Sequence, residues 1–150
     1  MRPSKIKNYM DVAIVIAERS HDTETHVGAV LINNKSGGII STGFNGFLRG
    51  ADDASLPNTR PLKYEVIIHA EANLLTNCCR HGISTEDCTL ICTMSPCSRC
   101  MRLLISAGIT KVIARELYKD FNDILAMPDV SVSVKKEEDG YFHITYTAGK

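Results

Sequence analysis

The sequence predicts an α/β sandwich built on one mixed sheet, and three observations carry that expectation. After an initial pair of short apolar runs, strand-like and helix-like segments alternate along the chain. Near the end, Val130, Val132 and Val134 alternate with Ser131 and Ser133, the period-two pattern of a half-buried strand. At 150 residues with 44% apolar content, the chain can bury one core without staples, so a single domain over 1–150 is expected.

Taken in order, Ser4 is placed to cap a first helix in which Ile6, Met10, Ala13, Ile14 and Ala17 recur at helical spacing. The polar stretch Arg19 to His26 interrupts that face. Val27 to Ile32 then reads as a buried strand, and Lys35-Ser36-Gly37-Gly38 turns it back into Ile39 to Thr42, so the two form a hairpin. Asn45 to Tyr64 is a loop of about twenty positions, a length usually reserved for functional or mobile segments. A helix follows from near His69 to Arg80, stopped by Gly82 and facing the core through Ala70, Leu74 and Leu75. Cys88 to Thr93 is a strand, Pro96 opens a helix running to Ala107 before Gly108, and Lys111 to Ala114 is another strand. Asp120 starts a short helix that Pro128 ends. The tail is a strand, a tight turn at Asp139-Gly140 and a strand from Tyr141 to Tyr146.

Lys plus Arg equals Asp plus Glu at 17 each. Such a balance gives no field to hold polymeric nucleic acid or a membrane surface, and a small ligand fits better. The longest apolar run, Val12 to Ala17, is far too short to span a bilayer. No apolar leader precedes Arg2, Ser4, Lys5 and Lys7, so a cytoplasmic protein is expected. In that reducing setting Cys97 and Cys100 read as a metal or redox pair, and Cys88 and Cys92 as small core residues.

The chemistry concentrates in Ile68-His69-Ala70-Glu71 and Pro96-Cys97-Ser98-Arg99-Cys100. One imidazole and two thiolates, from His69, Cys97 and Cys100, are the three protein ligands that leave a zinc ion one open position. Glu71 remains beside the metal as a carboxylate able to take a proton from an activated water and pass it on. Cys97 and Cys100 are three apart, so a helix beginning there puts both sulfurs on one face, where free amides favour thiolate. His69 and Glu71 are two apart, about 200° around an ideal helix. They converge only if His69 stands at the helix entrance. Each motif alone is weak, since Pro-Cys-x-x-Cys also occurs in structural zinc and redox sites; a non-catalytic zinc module, with Glu71 merely accepting a hydrogen bond, is the plainer reading.

In this order, the two motifs reproduce the H-x-E and P-C-x-x-C signature of zinc nucleobase deaminases. With Val27-Gly28-Ala29-Val30, the stretch Ser41 to Gly50 containing Thr42-Gly43-Phe44-Asn45-Gly46, His69 to Asn73 and Ser95 to Cys100, the chain resembles the deoxycytidylate deaminases of the cytidine deaminase superfamily, phage and bacterial members in particular, from the first helix to about Tyr118.

That resemblance implies a three-layer α/β/α sandwich with a mixed five-stranded sheet, and hydrolysis of dCMP to dUMP and ammonia with Glu71 shuttling the protons. If the gene is carried by a phage, the host cytoplasm is the expected location. The resemblance also implies substrate contacts from Arg19, Asn45, Tyr118 and the backbone amide of Cys97. A hexamer, activated by dCTP and inhibited by dTTP, is implied as well, with Phe44, Asn45, Gly46, Arg49 and Arg80 forming the effector site and Mg²⁺ accompanying the triphosphate. Arg19 also reads as a solvated helix end, Tyr118 as ordinary packing, and Phe44 to Arg49 as a plain turn. The chain departs from relatives that have Thr-Cys and then Arg before the Val-Gly-Ala strand; here Ser20-His21-Asp22-Thr23 stands in that segment. A tRNA adenosine deaminase shares the zinc motif but needs a basic surface, which the charge balance opposes.

Overall fold

A computed structural model describes residues 2–149. Six strands form one sheet, β1 (Gly28–Asn33), β2 (Ile39–Phe44), β3 (Cys88–Met94), β4 (Ile109–Glu116), β5 (Val130–Lys136) and β6 (Phe142–Ala148), in the order β2-β1-β3-β4-β6-β5. β3 and β4 run parallel and the other neighbours antiparallel. The sheet is therefore mixed, with six strands instead of the five expected. The tail hairpin accounts for the difference: Val112, Ile113 and Ala114 of β4 pair with Ile144, His143 and Phe142 of β6, which brings β5 in as the new edge.

Helices cover both faces. α1 (Pro3–Ala17) lays Ile6, Tyr9, Met10 and Ala13 on Val30, Ile32, Ile91 and Ile113. On the opposite face, α2 (Ala70–His81), α3 (Ser98–Ser106) and α4 (Phe121–Leu125) enclose Leu31, Leu90, Cys92, Val112 and Ile144. Successive strand residues go to opposite layers, as the pleat requires. Cys88 and Cys92 are fully buried there.

The boundaries differ from the sequence reading in small ways. Ser4 lies inside α1, whose capping position is Arg2; Pro3 takes the first helical place, where its fixed φ and missing N–H cost nothing. Pro96, by contrast, stands ahead of α3, with Cys97 at the capping position. The segment 45–69 holds a short 3-10 turn at Leu62–Glu65, and it is tied back to the body: Gly46 and Ile68 exchange two backbone hydrogen bonds of 3.0 and 2.7 Å. No described helix is long and apolar enough to cross a membrane.

Two glycines let the helices approach the sheet. A Cβ at Gly28 would overlap the Ala13 carbonyl oxygen of α1, and one at Gly43 would overlap the Ala70 carbonyl oxygen and lie 2.7 Å from the Leu74 nitrogen of α2. Both contacts are with backbone, so relief requires the helix to move. Gly43→Ala is expected to cost about 1–3 kcal/mol through overpacking, read as a lower urea midpoint; an unchanged midpoint would show that α2 is free to shift.

Candidate active site

α2 and α3 begin side by side. His69 occupies the capping position of α2 with extended backbone, φ −66° and ψ 155°, and Cys97 does the same for α3 at φ −75° and ψ 171°. This is the condition set by the i, i+2 spacing. Because His69 precedes the first turn, its ring and the Glu71 side chain need not be separated as they would be inside a helix. Asn73 fixes the entrance by donating from its backbone N to the His69 carbonyl at 3.0 Å and from Nδ2 to the Phe44 carbonyl at 2.8 Å.

His69 Nδ1 stands 3.5 Å from Cys97 Sγ and 3.6 Å from Cys100 Sγ, and the three donor atoms all lie within 4.8 Å of one another. A tetrahedral zinc with bonds of about 2.1 Å to nitrogen and 2.3 Å to sulfur sets donor separations of about 3.6 Å, so this set fits the ion. Protonation points the same way. Cys97 is pulled down to about 3, chiefly by the hydrogen bond from Cys100 and, against burial, by His69. Cys100 is pushed up, first by the neighbouring Cys97 sulfur and then by burial. The two sulfurs thus hold one proton between them, beside an imidazole raised by its hydrogen bond to Cys97. A dication satisfies both thiolates at once.

Glu71, 4% exposed, stands next to this cluster, and burial raises its carboxyl above the usual carboxylate range. Its neighbours include Cys100, which interacts with the carboxyl directly. Glu71, His69 and Cys97 line a cavity of about 210 Å³ that also takes in Asn45 and Tyr118. Tyr118 is positioned by its backbone N, which donates to Ser95 Oγ at 2.6 Å, linking the chain that leaves β4 to the chain that leaves β3.

Two expected placements change. Arg19 does not line this cavity; its guanidinium lies 5.3 Å from the centroid of the Phe44 ring, where the end of α1 meets the end of β2. It belongs with Phe44, Gly46, Arg49 and Arg80, which line a second cavity of about 740 Å³. Asn45 is absent from that lining and faces the first cavity, because consecutive residues leaving β2 point to opposite sides.

The sequence reading missed a charged network in the wall of the first cavity. Lys63, 2% exposed, donates to both oxygens of Asp22 at 3.0 and 2.8 Å and lies 3.3 Å from Glu24. Asp22 also accepts from the amides of Glu24 and Thr25, and Asn45 Nδ2 donates to Asp22 at 3.4 Å and to the Thr25 carbonyl at 2.9 Å. No sequence spacing announces this network, since Asp22 and Lys63 are 41 residues apart.

An α/β/α sandwich whose adjacent helix starts gather one imidazole, two thiols and a buried carboxyl defines the class of zinc-centred hydrolytic deaminases. Comparison with known proteins gives the family. Residues 3–116 match the cytidine and deoxycytidylate deaminase zinc-binding region, and the chain belongs to that family. Human deoxycytidylate deaminase is 33% identical over 125 residues, covering 79% of this chain and 68% of the relative. The dCMP deaminase of cyanophage S-TIM5, crystallised in complex with dCMP and dUMP, superposes with a TM-score of 0.71 at 31% identity, covering 83% of this chain and 92% of the phage protein. A cytidine deaminase from Mycobacterium tuberculosis, at 17% identity and TM-score 0.50, shares the fold.

Burial alone would raise the Asp22 carboxyl, but Lys63 and the two amides outweigh it and hold it below its ordinary 3.8. A depressed value contributes stability that is present above 3.8 and lost as pH falls through the lower folded value. Asp22→Asn is therefore expected to lose about 3–5 kcal/mol at neutral pH, by leaving the buried Lys63 ammonium with Glu24 as its one remaining carboxylate, and to unfold with a shallower acid dependence. Urea titrations of both proteins from neutral to acid pH measure this; parallel acid limbs would contradict it.

Proposed function

We propose that this chain, read as one deaminase domain, hydrolyses dCMP to dUMP and ammonia. The observation that carries the proposal is the buried Glu71 carboxyl beside the His69, Cys97 and Cys100 cluster, in a cavity of about 210 Å³. Support for the substrate comes from relatives named deoxycytidylate deaminases and from the phage enzyme solved with dCMP and dUMP.

His69 Nδ1 and the two sulfurs would hold a zinc ion, whose Lewis acidity would lower the pKa of an attacking water to about 7. Glu71 accepts a proton from the attacking water as its oxygen bonds to C4 of the cytosine ring, and delivers it to ring N3. The proton of the new C4 hydroxyl passes through Glu71 to the exocyclic nitrogen, the C4–N bond breaks, and ammonia leaves with C4 now a carbonyl. The raised carboxyl suits this double duty, because a group that both takes and gives protons works best when its pKa approaches the operating pH. In this reading the Cys97 amide, at the start of α3, donates to the base carbonyl or the attacking oxygen, and Asn45 and Tyr118, which line the same cavity, contact the nucleotide.

Control by dCTP and dTTP belongs to the same proposal. Arg19, Arg49 and Arg80 bring three guanidinium groups to the cavity of about 740 Å³ where Phe44 and Gly46 also lie, and a triphosphate with Mg²⁺ suits that charge. α2 carries Arg80 near its end and Glu71 in its first turn, so a shift of this helix reaches the proton shuttle. A hexamer working in the cytoplasm completes the reading.

Glu71→Ala is expected to retain stoichiometric zinc by elemental analysis while losing about 10²–10⁴-fold in ammonia release from dCMP; retained turnover would sink the mechanism. Added dCTP should raise the dCMP rate and dTTP lower it, and Arg49→Ala should blunt both responses. Rates indifferent to either triphosphate would remove the regulatory part alone.

A further inference from the structure

The tail hairpin lies beyond residues 3–116, the part of the chain that matches the family, and it leaves β5 at one end of the six-stranded sheet. At the other end the backbone leaving β2 is already engaged, because Gly46 bridges to Ile68. Among the described residues, no segment pairs with the outer side of β5.

The ladder fixes which groups face outward. Gly149 N donates to the Asp129 carbonyl at 3.2 Å, and Glu137 N donates to the Tyr141 carbonyl at 3.0 Å. Both pairs continue the β5–β6 register, so the odd-numbered residues of β5 are the ones bonded to β6. Bonded and non-bonded pairs alternate along an antiparallel ladder. Val130, Val132, Val134 and Lys136 therefore direct their N–H and C=O groups to the open edge. The valine side chains point to the layer of α2, α3 and α4, where Val130 is buried and Val132 and Val134 are half-buried. On that side α4 packs against β5 and leaves Leu125 exposed. Ser131, Ser133 and Lys135 occupy the opposite, exposed face.

An extended edge with outward amides is a template for a further strand, and the sequence of β5 complements itself. Two copies related by a two-fold axis through Val132, perpendicular to the sheet, run antiparallel with Val132 opposite the partner's Val132. Val130 then meets the partner's Val134, and Val134 the partner's Val130. Each of these three pairs exchanges two hydrogen bonds, about six in all. Every valine is opposed by a valine, so the apolar layer continues across the edge.

Charge and proline select this register over its neighbours. Asp129, which accepts from Arg102 through both oxygens, comes opposite the partner's Lys135, and Lys135 opposite the partner's Asp129. Moving the centre to Ser133 sets Asp129 against the partner's Glu137, and like charges across a ladder are destabilising. Moving it to Ser131 sets Val134 against the partner's Pro128, which has no N–H to give.

We infer that β5 is a self-pairing interface: its open edge joins the same edge of a second copy of this chain, so that two sheets of six strands become one of twelve. The contact does not depend on the dCMP reading, since no residue of β5 lines the cavity beside His69 and Glu71. It holds for a dimer and for any larger assembly built from such pairs.

The test is sedimentation velocity of the zinc-loaded full chain. In Val132→Pro the lost N–H is one that makes no bond within the monomer, and proline is tolerated at such edge positions; the number of copies per particle should halve. Lys135→Glu alone and Asp129→Lys alone each set like charges opposite one another at both ends of the pair. Each should raise the dissociation constant about 10- to 100-fold at low salt. An equal mixture of these two variants restores both opposite-charge contacts and should recover the wild-type assembly. Lys135 and Asp129 are exposed, so this mixture decides the question even if the proline variant fails to fold. A wild type that stays a single copy, a folded Val132→Pro particle of wild-type size, or a mixture that assembles no better than its separate components would each overturn the pairing.

Discussion

The site depends on how closely α2 can lie on β2. Gly43 has no side chain at the point where the first turn of α2 crosses the strand, and the Gly46–Ile68 pair of backbone hydrogen bonds ties the end of β2 to the residue before His69. With the strand end and the helix start locked together, the imidazole position is fixed to within the freedom of one side chain. The parallel β3–β4 pair does the corresponding work for the thiols, because α3 must begin where β3 ends. Two helix entrances are thereby delivered to one place at the carboxyl ends of β2 and β3, which run the same way on either side of β1, the usual location of sites in open α/β sheets. Side chains on the capping residues of packed helices, as His69 and Cys97 are, are held more rigidly than side chains on loops, and Glu71, two residues after His69, inherits that rigidity.

Around this frame the chain spends buried charge where a purely structural protein would use apolar packing. Asp22 and Lys63 are almost wholly removed from water, an arrangement that adds little net stability over a hydrophobic pair but is costly to break from one side. Its value lies in geometry. The carboxylate gathers Lys63, the Asn45 amide and two backbone amides, and so binds the segment after α1 to the loop before α2 and to the end of β2. His21, one residue earlier, accepts from the Phe47 amide at 3.2 Å and meets Asn58 at 2.7 Å, and it lines the larger cavity. Adjacent residues of one segment therefore form walls of the two cavities, which share a structural partition.

Much of the fold was legible because local rules and burial agree. The strands of the two hairpins, the helix stop at Gly82 with φ +65°, and the buried Cys88 and Cys92 follow from periodicity, turn residues and apolar content. The strand count was not legible from the family pattern, since the tail hairpin joins the sheet through β4, a pairing that depends on which edge is left open. At the site, the cluster His69, Cys97 and Cys100 and the Glu71 beside it could be read because they sit in two short motifs. Lys63 could not, because its relevance depends on Asp22 and Glu24 being brought to it.

The sequence by itself determined the chemistry available: one imidazole, two thiols and a carboxylate at spacings that suit a three-ligand metal and a free base, and the requirement that His69 precede its helix. Residue types and short-range spacing are local properties, and they survive in a string of letters. Only the tertiary structure decided that the requirement is met, that Arg19 lies with the larger cavity instead of the one that His69 and Glu71 line, and that Asp22 and Lys63 meet as a buried pair in the wall of the latter. Those outcomes depend on distances between residues far apart in the chain, which sheet order and helix packing set and no local pattern records.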